Sequence, residues 1–263
     1  MRPRITVVTA SYNQGPFLEK TIRSVLEQQG VEIEYFIVDG GSQDESVEII
    51  RRYEDRLAWW VSEKDKGQSD AINKGLSRAT GDIVCWLNSD DYFAPDTLCR
   101  VADVLGSGKH KALVGHCIAV DPDGSEHLLR GHYDGYLPML SMLPAYRMHQ
   151  PSIFWRREVA AEIGLLNESM HLIMDYDYWC RIARLHDFVN LDAVLSYCHR
   201  HAAAKTADNH VSYHQDRARY MALRRAELSA PEQARLAVFE ARLSAYQALK
   251  NAERGLRRKL RPS

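Results

Sequence analysis

An apolar run ends in charge at Cys85-Trp86-Leu87-Asn88-Ser89-Asp90-Asp91. Two adjacent carboxylates repel each other, and a hard divalent cation would relieve that repulsion. Carboxylate oxygens together with those of a diphosphate complete an octahedral shell around Mg2+ or Mn2+. The local alternative is an Asx-type turn, or the cap of a helix entered at Pro95-Asp96-Thr97. Another carboxylate, Asp39, closes YFIVD before Gly40-Gly41-Ser42, where the backbone can turn sharply and approach a ligand. It can accept a hydrogen bond from a base N–H or simply initiate the turn. Gly67-Gln68-Ser69-Asp70 stands before a helical pattern and can cap it. Asp175 and Asp177, in Met174-Asp175-Tyr176-Asp177, can take a proton from a hydroxyl within reach or mark the acidic first turn of a helix carrying Trp179, Ile182 and Ala183. His199-Arg200-His201 follows the apolar run AVLSY, and a cation there would steady a departing diphosphate. The other histidines show no ligand spacing.

These polar clusters need elements to carry them. ITVVT at 5–9 is a compact β-branched strand pattern that stops at SYNQGP, and the spacing over 17–28 predicts a helix. The alternation repeats with YFIVD and a helix through Val47, Ile49 and Ile50. A strand WWVS at 59–62, a helix over 68–78 and a strand IVCWL at 83–87 follow. Apolar strands alternating with helices predict a parallel sheet covered on both faces, with ligands in the crevice beyond the carboxyl ends of the strands. The second half is less regular, with a strand near 112–120, a DPDG turn at 121–124 and a Met- and Leu-rich stretch at 136–143, where the acceptor side is expected. From about residue 213 the composition turns to Ala, Arg, Glu, Leu and Gln at helical spacing, broken at Ser229-Ala230-Pro231, where Pro231 suits the first turn of a new helix.

Bulk properties narrow the classes. The chain of 263 residues carries a formal net charge of -1, so no whole-molecule field exists to hold nucleic acid. Five scattered cysteines form no CxxC pair, which predicts reduced structural thiols and a cytoplasmic setting. The apolar segment after Met1 is too short for a signal peptide or membrane span. Arg254, Arg257, Arg258, Lys259 and Arg261 around Leu256 and Leu260 form a basic, mildly amphipathic end. It reads as a solvated helix terminus, or as a peripheral contact with anionic lipid at the inner face of a membrane.

In combination and in order, these segments resemble the family 2 glycosyltransferases of the GT-A fold. Val8-Thr9-Ala10-Ser11-Tyr12-Asn13 is similar to that family's first strand and loop, where the nucleotide base lies. Val38-Asp39-Gly40-Gly41-Ser42 resembles the loop whose aspartate pairs with uracil or thymine. Asp65 to Gly75, with Gly67, Asp70 and Asn73, resembles the block near the ribose and diphosphate, and Asn88-Ser89-Asp90-Asp91 occupies the place of the DxD motif. Asn88 stands where an aspartate is usual, so the resemblance leaves Asp90 as the main protein ligand to Mg2+ or Mn2+ and His201 as a second contact, with Arg200 and Lys205 behind it. Asp175 matches the family's catalytic base, and Asp177 is the competing assignment.

The resemblance implies an α/β GT-A domain over 1–212, with a donor-nucleotide half to about 110 and an acceptor half beyond. Its sheet is expected to be mixed and mainly parallel, followed by a helical C-terminal extension over 213–263. It further implies inverting transfer of a sugar from a UDP- or dTDP-linked donor to a hydroxyl of a glycan or lipid-linked acceptor, in polysaccharide, O-antigen or lipid-linked glycan assembly. The alternative from another class is a nucleotide-sugar-binding or scaffold protein of the same fold without turnover.

Overall fold

The computed structural model describes residues 2–141, 147–201 and 210–259. Lys205, Leu260 and Arg261 lie outside the described residues, as do Met142 and Leu143 of the Met- and Leu-rich stretch and the side chains of Arg254, Leu256, Arg257, Arg258 and Lys259. The first half alternates as its patterning predicts: β1 (Arg4–Ser11), α1 (Gly15–Leu26), β2 (Glu32–Asp39), α2 (Ser46–Arg52), β3 (Trp59–Ser62), α3 (Gln68–Leu76) and β4 (Ile83–Trp86). β1 lies between β2 and β4, and β2 pairs onward to β3, all in parallel. Apart from Arg4 at its start, β1 is buried along its whole length, as a strand covered on both faces must be. α3 packs on it so closely that a Cβ at Gly75 would stand 2.4 Å from Val8 Cγ1, which is why a glycine is accepted inside a helix there.

The second half is built differently. β5 (Asp91–Phe93) and α4 (Thr97–Leu105) precede β6 (Ala112–Val120) and β7 (Glu126–Leu129), with the expected Asp121 to Gly124 turn between the last two. After the short α5 (Tyr136–Met139) come β8 (Ile153–Arg156), α6 (Arg157–Ile163), α7 (Met174–Leu185) and β9 (Phe188–His199). The strands form one nine-stranded mixed sheet in the order β3-β2-β1-β4-β8-β6-β9-β5, with β7 on β6. Parallel pairing prevails in the first half. In the second, β8 runs antiparallel to β4 and β6, β5 runs antiparallel to β9, and only β6 and β9 are parallel.

The two halves are locked by aromatic side chains. Trp86 from β4 stacks on Trp179 from α7 at 4.8 Å with an interplanar angle of 7°, and Trp155 from β8 and Tyr178 from α7 pack edge-on against them. All four rings are buried, so the strand that ends in Asn88-Ser89-Asp90 and the helix that starts with Met174-Asp175 share one rigid contact.

The C-terminal helices, α8 (His210–Ala226) and α9 (Ala230–Lys259), pack onto the domain. Tyr220, Met221, Leu228 and Leu236 are buried in the same hydrophobic core as the sheet. Tyr220 meets Tyr176 of α7 edge-on at 5.7 Å, and Arg225 Nε donates to the Leu140 carbonyl at 2.9 Å. Ser229 and Glu232 cap the start of α9: the Ser229 backbone N–H and hydroxyl both donate to the Glu232 carboxylate, at 2.8 and 2.7 Å. The break anticipated at Ser229-Ala230-Pro231 is therefore a capped helix start. Because the apolar side chains of these helices fill the face of α7, removing residues 210–263 is expected to lower the melting temperature of the whole domain by roughly 10 °C or more, read by thermal denaturation. An unchanged midpoint would show that the tail is an independent appendage.

Candidate functional site

The parallel register brings the carboxyl ends of three strands into one row, with Ser11 opposite Asp39 and Asp39 opposite Ser62. Asp39 is buried, and its carboxylate accepts the backbone N–H groups of Gly41 and Ser42 at 3.1 and 2.9 Å, the Ser62 hydroxyl at 2.7 Å and the Ser42 hydroxyl. It thus shapes its own loop, as a turn-initiating aspartate does. That loop is clasped by the one after β1: Asn13 N–H donates to Ser42 Oγ at 2.8 Å, Asn13 Oδ1 accepts Gln43 N–H at 2.8 Å, and Asp44 Oδ2 accepts Gly15 N–H at 2.9 Å. Gly40 sits where a Cβ would be 2.7 Å from Asp65 Oδ2 and 3.3 Å from the Tyr12 ring, so only glycine allows the three loops to meet. Tyr12 stands 60% exposed above this junction, and Ser11 Oγ is buried without a partner.

Beyond β4 the two neighbouring carboxylates part company. Asp91 enters β5 and is buried; burial first, and the charge of Asp90 second, push its carboxyl well above the usual range. Asp90 stays on the turn, held by the end of β9. His199 Nδ1 donates to the Asp90 carbonyl at 2.8 Å, and His201 Nε2 meets Asp90 Oδ2 at 3.0 Å. Phe17 stacks on the His201 ring at 4.5 Å and fixes its plane. The two candidate metal contacts, 111 residues apart in the chain, are in direct touch.

This pair suits a divalent cation. The two side chains touch as a hydrogen-bonded pair at 3.0 Å, and a carboxylate beside an imidazole is a donor set that would take Mg2+ or Mn2+. Among the described residues no group of three or more His, Cys, Asp or Glu could hold a metal. An ion held by Asp90 and His201 would need further oxygens from a bound phosphate or from water.

The other wall comes from α3 and α7. Consecutive residues reach both sides: Gln68 Nε2 donates to Asn88 Oδ1 at 2.9 Å and Ser69 Oγ to Met174 Sδ at 2.8 Å. Asp175 lies in the first turn of α7, next to Met174, and its Oδ1 accepts the Tyr176 backbone N–H at 2.7 Å. Its half-buried carboxylate faces Tyr213 of α8, whose hydroxyl is pushed up to about 12 by burial and then by the Asp175 charge. Asp177 plays a different part. It is buried and paired with Arg181 at 3.0 Å, whose guanidinium also donates to the carbonyls of Ile163 and Leu165. Asp177 is thus a buried partner of Arg181, tying α7 to the segment before it.

Several expected contacts turn inward. The Thr9 hydroxyl is buried against Tyr35 Oη at 3.0 Å, so its side chain belongs to the core. Asn73 donates to the Leu166 carbonyl at 3.0 Å and accepts its N–H at 2.9 Å, which makes it a clamp on the loop before α7. Asp70 accepts Lys66 N–H at 3.1 Å and pairs with Lys74 at 3.4 Å, closing the loop around Gly67. Ala10 is buried, and Ser89 offers its carbonyl to Thr21 Oγ1 at 2.9 Å. Phe17, against His201, and Tyr213, near Asp175, were not expected from sequence; Asn13 and Ser42 lie within the segments expected there. For Asn13 the proximity to a glycine-rich turn was a usable signal, whereas Phe17 and Tyr213 carried none. His149, beside Gln150, is held down to about 4 by burial and by the neighbouring His116 and Arg200, and is a neutral imidazole near neutrality.

The mixed α/β sheet, with the carboxyl ends of its parallel strands aligned and Asp90 held on the turn after β4, has the GT-A architecture. The chain belongs to glycosyl transferase family 2, which it matches over residues 6–164, and is a glycosyltransferase. It is 31% identical over 196 residues to an uncharacterized glycosyltransferase of Mycobacterium tuberculosis, covering 73% of this chain and 74% of the relative. An uncharacterized glycosyltransferase of Rickettsia conorii is 27% identical over 218 residues, 78% of this chain but 36% of that protein. Among solved structures, S. aureus TarS 1–349 in complex with UDP-GlcNAc shares the fold with a TM-score of 0.62 at 17% identity, over 90% of this chain and 71% of that one. The mannosyltransferase PcManGT of Pyrobaculum calidifontis, in complex with GDP-Man and Mn2+, matches with a TM-score of 0.56 at 19% identity, over 95% and 83%. Against a further crystal structure of TarS 1–349, the match spans 60% of that chain.

Two stability measurements check these roles. Asp177→Ala strands Arg181 and is expected to cost about 3 kcal/mol in urea unfolding, whereas Asp175→Asn leaves the midpoint nearly unchanged. Asp91 has its folded pKa raised above the unfolded value, so its contribution is present at low pH and lost as pH rises through the folded pKa. Asp91→Asn is accordingly expected to be at least as stable as the native protein at neutral pH, the gain vanishing as pH falls into the ordinary carboxylate range. Equal pH profiles for the two would contradict the buried, uncharged Asp91.

Proposed function

We propose that the protein is an inverting, metal-dependent glycosyltransferase moving a sugar from a UDP- or dTDP-linked donor to a hydroxyl of a glycan or lipid-linked acceptor. The observation that carries this reading is the contact of Asp90 with His201, a carboxylate and an imidazole from distant parts of the chain brought together on the turn after β4. Support comes also from neighbours of the same fold: TarS structures hold UDP or UDP-GlcNAc, and PcManGT holds GDP-Man with Mn2+.

In this mechanism the base lies over the clasped loops after β1 and β2, with Asp39 facing its N–H edge and the exposed Tyr12 ring against its face. Ala10 and Ser11 offer strand-end backbone. Gly67, Asp70, Asn88 and Ser89 border the ribose and diphosphate. Asp90 and His201 would hold Mg2+ or Mn2+, which when bound acts as a Lewis acid on the charge developing at the diphosphate. Asp175 accepts the proton of the acceptor hydroxyl as that oxygen attacks the anomeric carbon from the side opposite the leaving group, so the configuration inverts. The α7 dipole favours the ionised form of Asp175 before the transfer.

No described helix is long and apolar enough to cross a membrane. A cytoplasmic enzyme that meets a lipid-linked acceptor through its basic C-terminal end, in polysaccharide, O-antigen or lipid-linked glycan assembly, fits this reading.

Radiolabelled transfer from a panel of UDP- and dTDP-sugars tests it. Asp175→Asn is expected to lower transfer on the order of 100-fold or more while UDP binding with Mn2+, read by calorimetry, persists. Asp90→Ala is expected to weaken both. Near-native transfer by Asp175→Asn would remove the proposed base, and UDP binding indifferent to Mn2+ and to Asp90→Ala would remove the cation site.

A further inference from the structure

Three primary amides run in series through the floor of the crevice. Gln68 Nε2, at the start of α3, donates to Asn88 Oδ1 at 2.9 Å; Asn88 Nδ2 donates to Gln150 Oε1 at 3.0 Å; Gln150 Nε2 donates to the Trp86 carbonyl at 2.8 Å. Asn88 Nδ2 also reaches Asp91 Oδ2 at 3.3 Å. The last acceptor sets the direction of all of them. A backbone carbonyl can only accept, so Gln150 must turn its NH2 to Trp86 and its oxygen to Asn88. Asn88 must then present its own NH2, which leaves its oxygen toward Gln68, and Gln68 must donate.

We infer that Gln68, Asn88 and Gln150 are positioning residues, a one-way amide relay tying the metal-bearing turn after β4 to the start of α3 on the donor side and to the segment His149–Ser152 on the acceptor side. The inference deepens the transferase reading and rests on it for the word positioning. It also accounts for the amide at position 88, where the family resemblance leads one to expect an aspartate. A carboxylate at 88 has no proton to give. It would face the Gln150 oxygen, and turning Gln150 to meet it would put that oxygen against the Trp86 carbonyl. Half-buried acceptors opposed in this way are costly, because they repel each other and neither gains a donor.

The relay predicts a result opposite to the one expected of a restored DxD aspartate. Asn88→Asp is expected to lower transfer roughly tenfold or more, since small displacements of a reacting constellation are expensive in rate. The sharper test is Gln150→Glu. In its ionised form the introduced carboxylate cannot donate to the Trp86 carbonyl; in its protonated form it has one donor and one acceptor and replaces the amide in both bonds. Its folded pKa is thus raised, so the stability it carries is present at low pH and lost as pH rises. The melting temperature of Gln150→Glu should lie below the native value at about pH 8 and converge on it toward about pH 5, while Gln150→Met keeps the same deficit throughout. Transfer relative to the native protein should recover in parallel. Curves for the native chain subtract the titration of the groups nearby: Asp91 from β5, Asp90 on the turn, His149 beside Gln150, and His116 and Arg200 against His149. A deficit of Gln150→Glu that is independent of pH, or native-like transfer by Asn88→Asp, overturns the relay. Melting requires no turnover, so a protein inactive on every donor would sink the transferase reading and still leave the relay decided.

Discussion

Asp90 is placed where a buried strand gives out, and it keeps its position because the far end of the chain holds it. His199 fixes its carbonyl and His201 its carboxylate, with Phe17 of α1 stacked against the second ring. These contacts exist only if β9 runs its full length, Phe188–His199, parallel to β6 and antiparallel to β5. The sheet of the second half therefore serves one requirement of the first. It carries an imidazole across 111 residues of sequence to a turn that would otherwise expose an unsupported carboxylate.

The remaining geometry follows from keeping that turn in register with its surroundings. Parallel pairing aligns Ser11, Asp39 and Ser62 at one edge, and Asn13, Ser42 and Asp44 clasp the loops that leave it. The stacked Trp86 and Trp179 hold β4 against α7, so the distance from the turn to Asp175 is set by close-packed rings rather than by a loop. α8 then covers α7, with Tyr213 against Asp175 and Tyr220 against Tyr176. Tyr220, Met221, Leu228 and Leu236 of the helices after residue 210 are buried in the same core as the sheet.

The donor half was legible in the sequence because its signals are local. Apolar runs such as ITVVT and YFIVD, each stopped by a polar turn, mark strands buried on both faces, and their order is the family's order. Asp91 shows where local reading stops: its neighbour suggested a shared ion, yet pairing with Cys198 on β9 draws it into the sheet. The three-residue β5 and the four-residue β8 carry no periodicity of their own and exist through partners distant in the chain. The contacts of Asn73 with Leu166 and of Asn88 with Gln150 depend on tertiary closeness that residue type alone does not announce. In α8, a mostly polar composition hid the two residues, Tyr220 and Met221, that bury it.

A structure of the protein with UDP and Mn2+ examines the central claim directly. The account predicts one ion within about 2.1 Å of both Asp90 Oδ2 and His201 Nε2, with diphosphate oxygens completing its shell and Asp175 facing the same crevice. An ion bound away from that pair, or His201 swung off Phe17 with the nucleotide in place, would contradict it.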